Sequence, residues 1–314
     1  MRTIILAAAA LFFLQPASAE EPVRKIALTY DDGPRGDGEV FTGDERATAL
    51  IAALEGVEAG PVAFFVTTDG FEELEGGKAR MERYAAAGHL IANHTHTHQW
   101  AHKTPVEDYL ADIDIAIGYL DGFANWRPWF RYRYIDEGRS VEKRDAIVAG
   151  LRERGLENGY VTVDNYDWYI DSQLQKALQE GREVDYDKLG KLYTDMLLGA
   201  TEFFDLAARE TSDCGCSPVH VLLLHENDLA ALYADDLVTA LRNAGWQVVS
   251  PDMAYEDPIA DKVPQTLFTG QGRVAALAAD AGRSPRAFDY WASDEARIDA
   301  EIENRQIFSE ASDE

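Results

Sequence analysis

Three stretches of this chain are apolar almost without interruption: Ile26-Ala27-Leu28-Thr29-Tyr30, Val62-Ala63-Phe64-Phe65-Val66 and Val219 to Leu224. A strand with one face in water alternates apolar and polar residues, so runs like these must be covered on both faces, as in a parallel sheet flanked by helices. Helical spacing fills the intervals. Gly43 to Leu54 carries Ala47, Leu50, Ile51 and Leu54 on one face, and Val106 to Leu120 carries Tyr109, Leu110, Ile113, Ile117 and Leu120. Further helices are expected at 79–87, 141–154, 186–208 and 235–243, and further strands at His89–Ala92, Tyr160–Val163 and Trp246–Val249. Six or seven strands alternating with helices predict an α/β fold with a mostly parallel sheet, doubly wound or closed as a barrel.

The chain's 314 residues can form one large α/β domain, or a domain with an appendage. Arg2, an apolar run from Ile4 to Leu14 and Ala17-Ser18-Ala19 read as a secretory signal cleaved after Ala19. The run is too short to span a bilayer comfortably, and no later stretch is apolar for long enough, so no membrane span is expected after cleavage. A secreted or periplasmic protein follows. The net charge of −27 disfavours nucleic acid and anionic membranes as partners. Cys214 and Cys216 are the only cysteines, and export makes a disulfide staple of that loop chemically accessible. Beyond Pro258 the pattern weakens to two helices, near 272–281 and 293–303. The segments are therefore a signal at 1–19, a domain at 20–257 and a C-terminal extension at 258–314.

The first apolar run ends in Asp31-Asp32-Gly33-Pro34, which places two adjacent carboxylates where an α/β fold puts its chemistry. Asp-Asp-Gly-Pro is also good turn chemistry, and the run alone does not decide between the two. A second signal follows the third strand, Asn93-His94-Thr95-His96-Thr97-His98. Four of the seven histidines fall between 94 and 102. In one turn of helix, His94 and His98 would point the same way and could share a metal, while His98 and His102 have the same spacing.

Thr29-Tyr30-Asp31-Asp32-Gly33-Pro34 followed by His94-Thr95-His96-Thr97-His98 resembles the polysaccharide deacetylase family, the NodB-homology domain of carbohydrate esterase family 4. Phe130-Arg131-Tyr132-Arg133-Tyr134 resembles its R-x-P-[YF] motif with Arg133 in place of proline; Arg127-Pro128 keeps a proline at the wrong spacing. Asp164-Asn165-Tyr166-Asp167-Trp168 resembles D-x-x-D-W, and Leu223-Leu224-His225 resembles L-x-H. The five motifs stand in the family's order over roughly residues 25 to 250.

The resemblance implies a distorted (β/α)7 barrel with a C-terminal extension. It implies a divalent metal, zinc foremost, on Asp32, His94 and His98, with His102 outside the site. Asp31 would be the general base toward a metal-bound water, held by a fork of hydrogen bonds from Arg131. The Tyr134 N–H would stabilise the oxyanion, in a turn that the loss of proline loosens. His225 would be the general acid, tuned by Asp167, and Trp168 would line the substrate groove. The implied activity is removal of N-acetyl groups from a sugar polymer of the chitin, peptidoglycan or other N-acetylglucosamine type. An O-acetyl esterase of the xylan type, or another amidase, could use the same residues. A non-catalytic carbohydrate-binding homologue is the alternative that Arg133 favours, and retention of Asp31 and His225 speaks against it.

Overall fold

The computed structural model describes residues 23–309, so the signal expected at 1–19 lies outside the described residues. The elements run β1 (Arg24–Gly33), α1 (Gly43–Gly56), β2 (Ala63–Val66), α2 (Gly70–Glu73), α3 (Gly77–Ala86), β3 (Leu90–Asn93), α4 (Val106–Leu120), β4 (Trp126–Phe130), α5 (Val141–Glu153) and β5 (Glu157–Asn158). They continue with α6 (Asp167–Gln179), α7 (Tyr186–Thr211), β6 (Val219–His225), α8 (Asp228–Asn243), β7 (Trp246–Val248), α9 (Pro251–Tyr255), α10 (Gly272–Asp280) and α11 (Glu295–Arg305). Short 3-10 turns join several of them.

The seven strands form one sheet in the order β5-β4-β3-β2-β1-β6, with β7 beside the start of β1, and the pairings are parallel. β1 is the central strand. Ile26, Ala27, Leu28 and Tyr30 are fully buried, which is what its non-alternating sequence requires. Helices cover it outside. α1 starts at a capping box in which Thr42 accepts from the Glu45 N–H and the Glu45 carboxylate accepts from the Thr42 N–H at 2.9 Å. The long helix α7 buries Leu189, Leu192, Tyr193, Met196 and Leu197 along the face that its spacing marks.

The sheet curls until one chain segment touches both of its edges. At the start of that segment the Gly159 N–H donates to the Phe130 carbonyl of β4 at 2.8 Å. At its end the Thr162 and Val163 N–H groups donate to the Val221 carbonyl of β6 at 3.0 and 3.1 Å. A Cβ on Gly159 would lie 2.5 Å from the Phe65 ring, so only glycine lets the segment approach the barrel interior this closely. The seam is reinforced from below. His220 Nδ1 lies 2.9 Å from Thr162 Oγ1 and its Nε2 3.3 Å from Asp205 Oδ1, all three residues being buried. The fold is thus the distorted α/β barrel that the resemblance implied.

Several local expectations are corrected. Tyr160–Val163 is not a strand; Val163 makes one bridge to Leu222, and the regular strand in this region is β5. Strand β4 was not legible because Pro128 sits inside it. The β3–β4 register shifts between its ends, and Pro128 occupies that gap, exposed, where no ladder bond is lost. Helix α6 was also missed, and α8 begins at Asp228 rather than Asp235. Cys214 and Cys216 are joined by a disulfide on the exposed loop before β6. The C-terminal segment packs behind the seam: the Arg273 N–H donates to the Val161 carbonyl at 2.7 Å, and the Tyr166 N–H donates to the Ala292 carbonyl at 2.8 Å. Among the described residues no helix is long and apolar enough to cross a membrane.

Candidate active site

Every strand end that carries a motif opens on the same rim. Asp31 on β1 is the register partner of His225 on β6, so the two face each other across one strand spacing. Asp32 follows with φ 65°, a left-handed conformation that swings its carboxylate away from the strand direction and toward the histidine loop. Its Oδ1 lies 3.5 Å from His94 Nε2 and 3.2 Å from His98 Nε2.

That loop is not the turn of helix expected from i, i+4 spacing. Residues 94–98 are irregular, and Thr95 and His98 have φ of 71° and 51°. The convergence comes from hydrogen bonds. The Thr95 N–H donates to Asn93 Oδ1 at 2.7 Å, and the buried Asp112 of α4 accepts from the His96 and Thr97 N–H groups and from the Thr97 hydroxyl. His96 turns outward to Thr68 Oγ1 and stacks on Tyr119, and His102 lies against Trp100. The pair that meets Asp32 is therefore His94 and His98.

Asp32, His94 and His98 offer three ligand atoms within 4.8 Å of one another. Ligands about 2.0–2.1 Å from a tetrahedral ion sit about 3.3 Å apart, so the 3.2 and 3.5 Å separations suit a small divalent cation. The tautomer fits as well. His94 Nδ1 lies 2.8 Å from the Arg131 carbonyl and must donate to it, which leaves Nε2 with a free lone pair. His98 is kept neutral: burial, the neighbouring His94 and Arg133 push its pKa down to about 3 against the pull of Asp32. Burial opposes ionisation of Asp32, yet its histidine surroundings, His94, His98 and His225, hold it far below the usual carboxylate range.

Asp31 is buried, and its Oδ1 accepts from Arg131 Nη1 at 2.9 Å. The expected fork is absent. Arg131 instead spreads its donors over Asp31, Thr29 Oγ1 at 3.3 Å, the Tyr255 hydroxyl at 3.0 Å and the Gly159 carbonyl, while its guanidinium lies 4.0 Å above the Phe65 ring. One carboxylate oxygen is left uncommitted: Asp31 Oδ2, 3.9 Å from His94 Nε2.

On the opposite side His225 Nδ1 meets Asp167 Oδ1 at 2.6 Å, and the His225 N–H donates to Asp167 Oδ2 at 2.9 Å. Burial alone would lower the His225 pKa. The Asp167 charge and hydrogen bond override it, helped by Asp32 and Asp31, and raise it to about 9. Asp167, in the first turn of α6, also accepts from the Trp168 N–H at 2.8 Å.

Arg133, at the position where the motif has proline, does not leave its turn loose. It donates to the His98 carbonyl at 2.9 Å and to the Tyr134 hydroxyl at 2.8 Å, with its guanidinium 4.6 Å from the Tyr134 ring. A side-chain tie thus stands where proline would restrain the backbone. Tyr134 and Ile135 have φ of 59° and 53°, and the Tyr134 side chain is exposed on the rim.

These residues surround a cleft of about 700 Å³ lined by Asp31, Asp32, His94, His98, Tyr134 and Trp168, together with His225 and the outer turns of α6. Trp168 is partly exposed on its wall and packs against Tyr166 and Tyr169. A family model described as polysaccharide deacetylase matches residues 18–158. Over that segment the chain is similar to the polysaccharide deacetylase family. Solved structures similar to this chain include peptidoglycan deacetylase PdaC from Bacillus subtilis, 19% identical with a TM-score of 0.49, covering 76% of this chain and 92% of that one. The chitin deacetylase of Colletotrichum lindemuthianum is 19% identical with a TM-score of 0.46, covering 74% and 86%. A family 4 carbohydrate esterase from Streptomyces lividans is 17% identical with a TM-score of 0.43, covering 74% and 95%. No curated protein matches this chain.

Sequence reasoning missed several residues of this cleft. Asp112 could have been suspected as an acid on the buried face of α4 between Tyr109 and Ala116. Thr29 and Tyr255, which hold Arg131, and Gly270, which lines the cleft from the C-terminal segment, carry no local signal.

Proposed function

We propose that the protein is an exported, metal-dependent hydrolase that removes N-acetyl groups from an amino-sugar polymer of the chitin or peptidoglycan type. One observation supports this reading above others: Asp31 and His225 face each other across adjacent strands, each with its own counter-charge, Arg131 for one and Asp167 for the other. Hydrolysis of an amide needs a base on the attacking side and an acid on the leaving side, with their protonation states held apart. Pure binding needs neither.

Asp32, His94 and His98 would hold the cation, for which zinc is the simplest choice. When bound, a divalent ion there supplies Lewis acidity toward a carbonyl oxygen and acidifies water. The chain's own residues do the rest. Asp31 Oδ2, free of Arg131, takes the proton of the attacking water, and Arg131 keeps the carboxylate ionised and aimed. The Tyr134 N–H is the backbone donor for the developing oxyanion, at a site where one such donor is worth about 3–4 kcal/mol. His225 carries its proton into neutral pH because of Asp167 and delivers it from Nε2 to the departing amine. Trp168 offers an apolar face to a sugar ring.

The test is acetate release from N-acetylated chito-oligosaccharides by the mature protein, with a chelator-treated control. Metal-dependent acetate is expected. Asp31→Asn should lower turnover at least about 100-fold while the protein still takes up one metal per chain. Normal turnover in that variant would sink the assignment. Release from acetylated xylan alone would move the substrate to an O-acetyl ester.

A further inference from the structure

Asp164 is a carboxyl that no step above uses. It is 5% exposed, yet it lines the catalytic cleft beside His225, Leu223 and Trp168. Its nearest donors are the Asn165 N–H and the Ser293 hydroxyl, and they offset the cost of its burial only in part. Among the described residues no hydrogen bond of ordinary geometry completes it, and Ser293 Oγ is itself buried without a partner. A buried carboxyl whose burial is only partly offset thus lines the cavity, with the unpartnered Ser293 hydroxyl beside it. Buried polar groups are otherwise almost always paired, because leaving one unmade is costly. A carboxyl left under-bonded at a cleft wall is the arrangement expected of a site whose partner arrives with the ligand.

We propose that Asp164, backed by Ser293 of the C-terminal segment, holds a ring hydroxyl of the sugar whose acetamido group is being cleaved. This rests on the deacetylase reading above and deepens it by assigning a substrate-positioning residue. The location suits the task. Asp164 follows the seam residue Val163, whose carbonyl accepts from the Leu223 N–H at 3.2 Å, and Asn165 Nδ2 donates to the Leu223 carbonyl at 2.7 Å. The carboxyl is therefore fixed to the strand that ends in His225. A hydroxyl held there stands between the acid and the Trp168 face, and this sets which side of the sugar meets the rim. Burial raises the Asp164 pKa to about 7, against the pull of Asn165 and His225, so near neutral pH the group both donates and accepts. A sugar hydroxyl asks for both roles. The proposal also gives the C-terminal segment a part in the site: Gly270 lines the cleft, and Ser293 backs Asp164.

The experiment measures kcat and KM for acetate release from N-acetylated chito-oligosaccharides and from a deoxy series in which each member lacks one ring hydroxyl. Wild type, Asp164→Ala, Asp164→Asn and Ser293→Ala are compared, with thermal melts run alongside. The expected result is a roughly tenfold loss in kcat/KM for Asp164→Ala, carried mainly by KM. Asn, which keeps a donor and an acceptor, should recover most of that loss, and Ser293→Ala should show a smaller one. One deoxy substrate should lose about the same factor with wild type and nothing further with Asp164→Ala, because the two changes remove the same bond.

A merely structural role would lower activity toward all substrates alike, and that pattern in either Asp164 variant overturns the proposal. So does an Asp164→Ala enzyme within twofold of wild type. If Asp164→Ala fails to fold, Asp164→Leu, which fills the space but makes no hydrogen bond, decides against the deoxy series by the same criterion. Wild type that releases no acetate from any acetylated sugar would overturn the deacetylase reading, and this proposal with it. An active wild type with indifferent Asp164 variants would overturn this proposal alone.

Discussion

From Asp32 through Ile135 the rim is made of bent backbone. Asp32, Thr95, His98, Tyr134 and Ile135 all have positive φ, none is glycine, and they are tied by Asp112, Asn93 and Arg133. Between Asp164 and His225 on the opposite side, only glycines have positive φ among the described residues, and the acid is held by one buried ion pair with Asp167. A left-handed residue costs about 1–2 kcal/mol. The first side therefore stores unfavourable conformation that a bound cation can offset, whereas the second is satisfied by the chain alone. The difference locates where each half can be broken: the metal side through the ion and its ties, the acid side through charge.

The largest effect should come from removing the ion. Chelation should abolish acetate release and lower thermal stability. A site filled at a free metal concentration of 100 Kd contributes about 2.7 kcal/mol, which is lost with the metal. Amide exchange should rise at 94–98 and 131–135 and stay unchanged at 164–168 and 220–225. Equal loosening on both sides would remove the distinction between them.

Next is Asp167→Asn. His225 must be protonated to act, so activity should persist up to about pH 9 and fall above it. Because the folded pKa is raised, the pair also contributes stability that is fully present below the unfolded value near 6.5. That stability is lost as pH rises through about 9. In the variant burial acts without its main opposing charge, so the basic limb should move down by about two units or more. Turnover at pH 8 should then fall roughly 10- to 100-fold. An unmoved limb would mean that His225 is not the titrating acid.

How far the sequence revealed this site depended on the kind of force involved. The burial of β1 and β2 was readable because apolar runs report it directly. The motif residues were readable as types and in order. The backbone that aims them was not: His94 and His98 share the spacing of a helical turn but meet through a loop shaped by the adjacent Asn93 and by Asp112 on α4. Pro128 hid β4 because its tolerance depends on a register gap that only the assembled sheet possesses. Asp164 was readable as the first residue of a motif, but its burial at the cleft wall is a product of the assembled seam.

Arg133 offers the smallest and most discriminating test of the contrast. At the position of a motif proline it reads as a defect that loosens the turn at Tyr134. The structure instead shows its side chain joining His98 on one loop to Tyr134 on the next. If that tie replaces the rigidity of proline, Arg133→Ala should cost about 1 kcal/mol or less in folding stability, since both bonds are partly exposed. Metal affinity should weaken more noticeably, about tenfold by chelator competition, because the carbonyl being released belongs to a ligand residue. The pH limb set by His225 should not move, since the acid side shares no partner with Arg133. An Arg133→Ala protein with unchanged metal affinity would show the tie to be idle, and the metal side would then rest on Asp112, Asn93 and the ion alone.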